Sequence, residues 1–375
     1  MLAAAALAAV GLFAALAAGA QPTGQMRRIG VLMGLAESDP LAQARVAALR
    51  EGLQTLGWVE DRNIRIDIRW AVTSDAPAMQ RFAKELVALQ PDLILSHNTP
   101  TTAALLRQTR TIPIVFATVS DPIGTGFAQS FSRPGGNVTG FTNIEPTMPG
   151  KWLELLKEVA PRVVRVAFIF NPTTAPYAEY YLGPFKAAAA GLSLEAIPTP
   201  VRDTSELESA IAGHARRRNG GLVLMTDAFL VPHRAKITSL AAHYRLPAVY
   251  PFRDFIEVGG LLSYGNDLYD NFRRAATYAD RILKGATPNE LPVQAPVKFE
   301  LDINIKTAKA LGLTIPPLLL QRADKVIKQM AAAQHHAPTD RGARDARSPA
   351  AERARSPDPD NGSDFQSAIL RVSRH

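Results

Sequence analysis

Over residues 27 to about 330, stretches with the period of a strand alternate with stretches at helical spacing. That rhythm narrows the possible folds more than any other feature. Strand patterns fall at 29–33, 64–70, 93–95, 114–116 and 138–141, and helical patterns at 42–56, 76–89 and 101–109. After Pro149 the rhythm restarts, with strands at 163–170, 194–197, 222–225, 248–250 and 261–264. Helices are expected at 151–159, 177–190, 205–217, 234–244 and 270–283. Repeated β–α alternation calls for parallel sheets with helices on both faces. Two runs of it imply two doubly wound α/β lobes. No fixed-period repeat is present, which excludes a solenoid.

The two ends differ from this middle. Residues 1–20 carry no charge, eleven of them are Ala, and they finish in Ala18-Gly19-Ala20. An apolar stretch closing in A-x-A reads as an export signal cleaved after Ala20. Two other readings are weighed, an uncleaved anchor and a buried Ala helix. So much Ala makes a weak membrane span, and no Lys or Arg precedes the run, as a standard signal has. Residues 331–375 lack apolar periodicity and are rich in Arg, Asp, Pro, Ser and Ala, the composition of a disordered tail. With no cysteine in the chain, disulfides, thiolate metal sites and cysteine nucleophiles are all excluded. The net charge is +8, with Arg216-Arg217-Arg218 as the one tight basic run. Without further cations and aromatics on one face, that run is a solvated helix end and no nucleic-acid partner is expected.

Ligands of doubly wound sheets bind beyond the carboxyl ends of the strands. That rule selects Ser38 beside the expected helix cap at Ser38 or Asp39, then Asn98 and Thr99, then Ser120 and Asp121. In the second half it selects Asn171, Asp227, Tyr264 and Asp267. Each has a turn or capping explanation of its own; their joint placement makes the site. Hydroxyls and amides at helix starts on one side, facing carboxylates on the other, suit a zwitterion. Catalytic patterns are missing. Gly124-Thr125-Gly126 lacks the third glycine of a dinucleotide loop, and there is no phosphate-loop lysine motif and no G-x-S-x-G elbow. The histidines show no ligand spacing, so neither a metal nor a cofactor is expected.

Several runs carry a resemblance to a known family. They are Arg28-Ile29-Gly30-Val31-Leu32, Glu51-Gly52-Leu53 with Leu56-Gly57-Trp58, and Pro91-Asp92-Leu93-Ile94. Thr111 to Phe116, Ser120-Asp121-Pro122 and Pro134-Gly135-Gly136-Asn137-Val138-Thr139-Gly140 follow in order. Gly259-Gly260-Leu261, Ser263-Tyr264-Gly265 and Ala310 to Pro316 complete the series. In these the chain resembles the ABC transporter substrate-binding proteins related to tryptophan- and tyrosine-binding receptors. The resemblance implies a type I periplasmic-binding-protein fold, two lobes joined by a three-stranded hinge. Lobe 1 would hold 27–142 and 265–295, and lobe 2 would hold 143–264 and 296–330. It further implies a monomeric periplasmic receptor that closes on a small organic ligand, an amino acid or related carboxylate, and hands it to an inner-membrane ABC permease. Asn98, Thr99 and Ser120 would hold the ligand carboxylate, Asp227 or Asp267 its ammonium, and Tyr264 would stack on its side chain. The alternative is a periplasmic sensor presenting the closed state to a signalling partner. A regulator's effector domain would need a helix-turn-helix before the first strand, and an enzyme would show turnover.

Overall fold

The computed structural model describes residues 26–328. The expected signal peptide and the expected disordered tail both lie outside the described residues.

The first lobe opens with strand β1 (Arg27–Met33), helix α1 (Pro40–Thr55), β2 (Ile64–Trp70), α2 (Ala76–Ala88), β3 (Leu93–Asn98), α3 (Thr99–Leu106), β4 (Ile114–Val119) and β5 (Val138–Thr142). Its five strands are all parallel in the order β2-β1-β3-β4-β5. The central strands β3 and β4 are buried along their whole length, which is why they read as continuous apolar runs. β2 alternates because it is the edge strand and half-buried.

The second lobe repeats the plan with α4 (Met148–Val159), β6 (Arg165–Phe170), α5 (Ala178–Gly191), β7 (Glu195–Pro200), α6 (Thr204–Ala215) and β8 (Gly220–Leu224). α7 (Arg234–His243), β9 (Ala248–Tyr250), the short α8 (Asp254–Glu257) and β10 (Leu262–Asn266) follow. The chain then returns to the first lobe as α9 (Leu268–Leu283), which packs on α1 and under β3, β4 and β5. Gly52 permits that packing: a Cβ there would lie 2.8 Å from the Ala276 Cβ. A last crossing brings β11 (Phe299–Asn304), α10 (Ile305–Ala310), α11 (Pro317–Arg322) and β12 (Lys325–Ile327) back to the second sheet.

Two α/β lobes of doubly wound plan are therefore present, with one difference from an all-parallel arrangement. The second sheet has seven strands in the order β12-β11-β10-β9-β8-β6-β7, and β11 is antiparallel to β10. The geometry of the crossing explains it. The earlier strands run towards the first lobe, so a chain returning from that lobe enters the sheet at their carboxyl edge and runs the opposite way. β11, β12 and the short helices α8, α10 and α11 were not among the expected elements.

Three chain segments join the lobes: 143–147, the turn at Asp267, and 295–298. They are tied together by polar groups. Thr142 N–H donates to Gln294 O at 2.8 Å, and Gln294 N–H donates to Gly140 O at 2.9 Å. Asn271, buried in α9, donates from Nδ2 to Ala117 O at 2.9 Å and to Thr142 O at 3.1 Å. Its Oδ1 accepts from Asn266 Nδ2 at 3.2 Å. One amide thus uses both its protons and its oxygen at the junction of two crossings. Replacing it strands two carbonyls away from water. Asn271→Leu is expected to lower unfolding free energy by about 2–3 kcal/mol, read as an earlier midpoint in a urea titration.

Candidate functional site

The carboxyl ends of the two sheets face each other across a cleft. Leu35 after β1, His97 to Pro100 at the β3–α3 junction and Thr118 of β4 line it from the first lobe. Tyr177, Thr226 to Ala228, Val231 and Phe252 line it from the second. Asn143 of the first crossing and Leu268 after the second complete the wall, and Arg45 reaches in from α1. The lobes are drawn together, and the enclosed volume is about 30 Å³, space for a water molecule or two. That is less than a ligand of amino-acid size fills.

Closure is held by contacts that cross from one lobe to the other. Arg234 at the start of α7 forms a two-pronged ion pair with Asp39, the residue that caps α1, at 2.9 and 3.0 Å. Deeper in, Arg45 Nη2 pairs with Asp254 Oδ2 of α8 at 2.9 Å, both side chains almost fully buried. Ser120 Oγ lies 2.9 Å from Asn143 Oδ1 and 3.3 Å from Thr226 Oγ1, and its carbonyl accepts from the Tyr181 hydroxyl at 3.1 Å.

Of the residues selected from sequence, Asn98, Thr99 and Asp227 line the cleft. The segment beginning at Asn98 is fixed by a reciprocal cap: Thr101 N–H donates to Asn98 Oδ1 at 3.2 Å, and Asn98 N–H to Thr101 Oγ1 at 2.8 Å. Asn98 Nδ2 sits over Gly34, where a Cβ would come within 2.5 Å of it. Asp227 is buried and held by three donors: Thr174 Oγ1 at 2.5 Å, Phe229 N–H at 2.8 Å and Asn171 N–H at 2.5 Å. Burial raises its carboxyl to about 6, against the downward pull of those hydrogen bonds. Burial, and Asp227 after it, also push the Tyr177 hydroxyl up; that hydroxyl donates to Thr226 O at 2.7 Å.

The other selected residues lie outside the cleft lining, each occupied locally. Ser38 is exposed on the loop before α1, where Asp39 provides the cap. Ser120 is one layer behind, in the contact between lobes just described. Asp121 Oδ1 closes its own turn by accepting from Gly124 N–H at 2.7 Å. Asn171 stands behind Asp227, its Nδ2 donating to Arg202 O at 2.9 Å. The Tyr264 ring stacks on Phe299, with centroids 5.8 Å apart, and its carbonyl accepts from Trp152 Nε1. Asp267 caps α9 through Tyr269 N–H and Asp270 N–H.

His97, Thr118, Thr226 and Phe252 stand in the strand-end loops that the same rule picks out, without being among the residues selected from them. Arg45, Asn143 and Tyr177 were not expected in the site. Arg45 did leave a signal: it sits among Ala42, Val46 and Leu49 on the apolar stripe of its helix, where a charge needs a partner. Among the described residues no three His, Asp or Glu side chains converge as a metal site, and no helix is long and apolar enough to cross a membrane.

A family model described as ABC transporter substrate binding protein matches residues 29–327. The chain belongs to the ABC transporter substrate-binding protein family. As such it is a receptor and not an enzyme. It is 27% identical over 292 residues to the tyrosine-binding protein of Clostridioides difficile, covering 77% of this chain and 82% of the relative. A solved ABC domain in complex with L-Trp, from Streptococcus pneumonia, superposes with a TM-score of 0.75 at 27% identity, covering 81% of this chain and all of the other. A conserved domain protein from Vibrio cholerae gives 0.75 at 28% identity, with 80% of this chain and all of the other covered.

The Asp39–Arg234 pair sits at the rim of the receptor's cleft and reports closure. Arg234→Gln is expected to cost the closed form about 1 kcal/mol, a roughly fivefold shift towards the open form. Small-angle scattering of the unliganded protein would show it as a larger radius of gyration.

Proposed function

We propose that this receptor binds an amino acid between its lobes and delivers it to an ABC permease for import. The Asp227 carboxylate carries the proposal: it is buried in the cleft wall, within one lining that also holds Asn98, Thr99 and Thr118. An ammonium group is the complement of such a carboxylate. A carboxylate suits the hydroxyls and amides at the start of α3, where the helix dipole favours negative charge. The relatives support the same class, one named for tyrosine and one holding L-Trp. Ser120, Asn171 and Tyr264 act as supports of this site, and Ser38, Asp121 and Asp267 stand at its periphery. The receptor works as a monomer outside the cytoplasm. The apolar segment ending in Ala18-Gly19-Ala20 is its export signal, cleaved after Ala20.

Affinity in such a receptor comes from contacts made only when the lobes close, so the ligand shifts the population towards the closed form. Titration of the mature protein with the common amino acids in a calorimeter tests the proposal. At least one is expected to bind, and Asp227→Asn is expected to weaken it about 100-fold, as removal of one partner of a buried charge pair does. Absence of binding by every amino acid would overturn it. The Asp227 carboxyl titrates near 6, so below that pH it is neutral and offers an ammonium no countercharge. Affinity is therefore expected to fall as pH drops from 7.5 to 5, and the Asp227→Asn protein to lose that dependence.

A further inference from the structure

The cleft contains a second polar corner, which the amino-acid reading leaves unused. Arg45 and His97 both line the cavity, Arg45 being 1% and His97 4% exposed. The Arg45 guanidinium gives one N–H to Asp254 and places Nη1 2.9 Å from His97 Nε2. Its Nε is buried with no partner. On the far side of the imidazole, Gly34 N–H points at His97 Nδ1 from 3.1 Å.

Donors and acceptors do not balance here. Burial, and the Arg45 charge after it, hold His97 well below the usual imidazole range, so the ring is neutral and has a single acceptor nitrogen. Two donors, Gly34 N–H and Arg45 Nη1, face its two nitrogens, and Arg45 Nε makes a third donor. The ring's other nitrogen is itself an N–H, so four donors share one acceptor and the corner is three acceptors short. Buried donors without acceptors are costly. An aliphatic ligand end leaves the shortage in place, and a cationic one adds repulsion. A carboxylate supplies acceptors and matches the planar guanidinium.

We propose that the Arg45–His97 corner receives a ligand carboxylate, which makes the preferred ligand an acidic amino acid and Arg45 the residue that sets this specificity. The proposal rests on the amino-acid reading for the other end of the ligand. Asp254, which reaches Arg45 from the second lobe, orients the guanidinium as the cleft closes. Leu35, Val231, Phe252 and Leu268 supply the apolar wall for the intervening methylenes.

The test is calorimetry on the mature protein with L-aspartate, L-glutamate, L-leucine, L-tyrosine and glutarate. An acidic amino acid is expected to bind at least 100-fold more tightly than leucine or tyrosine. Arg45→Met is expected to abolish that preference. Because that variant leaves Asp254 unpaired in the interior, the double variant Arg45→Met with Asp254→Asn removes both charges and is expected to show the same loss. Leucine or tyrosine binding as well as the acids, or a preference that survives both variants, would overturn the proposal while leaving the amino-acid reading intact. Binding of glutarate but of no amino acid, lost with Arg45→Met, would uphold the corner and overturn the reading instead. Binding of none of the acids would overturn the proposal.

Discussion

The strands from β1 to β10 all finish at the cleft, and most of the structure follows from that orientation. Two parallel sheets set carboxyl edge to carboxyl edge bring their variable loops to one place. They also leave the chain only one region in which to pass between lobes. The crossings at 143–147, Asp267 and 295–298 lie side by side, and a single buried amide, Asn271, bonds to the backbone of one and to a side chain at another. The crossings are thereby bonded to each other between two intact sheets. The reversed β11 is a product of the same geometry, since it is the first strand to enter a sheet from the cleft side.

Closure is built from polar pairs of graded depth. Asp39–Arg234 lies at the rim with each side chain 14% exposed, and Arg45–Asp254 lies inside at 2% and 3%. Behind them one apolar cluster runs from Val31 and Leu49 in the first lobe to Ile169 and Phe255 in the second. The apolar contact favours closure in general. The ion pairs fix its register, because a buried charge out of line with its partner is more costly than one left in water.

Most of the framework was legible in the sequence, because buried parallel strands and amphipathic helices leave strong periodic traces. The strands left unread carry weak ones. β12 has three residues, too few to show a period, and β11 alternates faintly as Phe-Glu-Leu-Asp-Ile-Asn, with a direction that only the crossing decides. At the site, the strand-end rule reached Asn98, Thr99 and Asp227. It also reached Asp267, which lies beyond the right strand but caps a helix, and Tyr264, which lies inside β10 with its ring stacked on Phe299. Position along the chain identifies a loop; which way its side chains turn is settled by neighbours such as Phe299, far off in sequence. Arg45 lay beyond the rule altogether, since it comes from the middle of a helix.

The buried Arg45–Asp254 pair gives the resting equilibrium a dependence on temperature. When the lobes part, both ions regain water; when they meet, both give it up. Hydration of charged groups becomes less favourable as temperature rises, so this part of the cost of closing shrinks on warming. Apolar contact between the lobes is likewise stronger warm than cold. Both contributions favour the shut form at higher temperature. A chain built this way spends more of its time open in the cold, when it has no ligand to hold it closed.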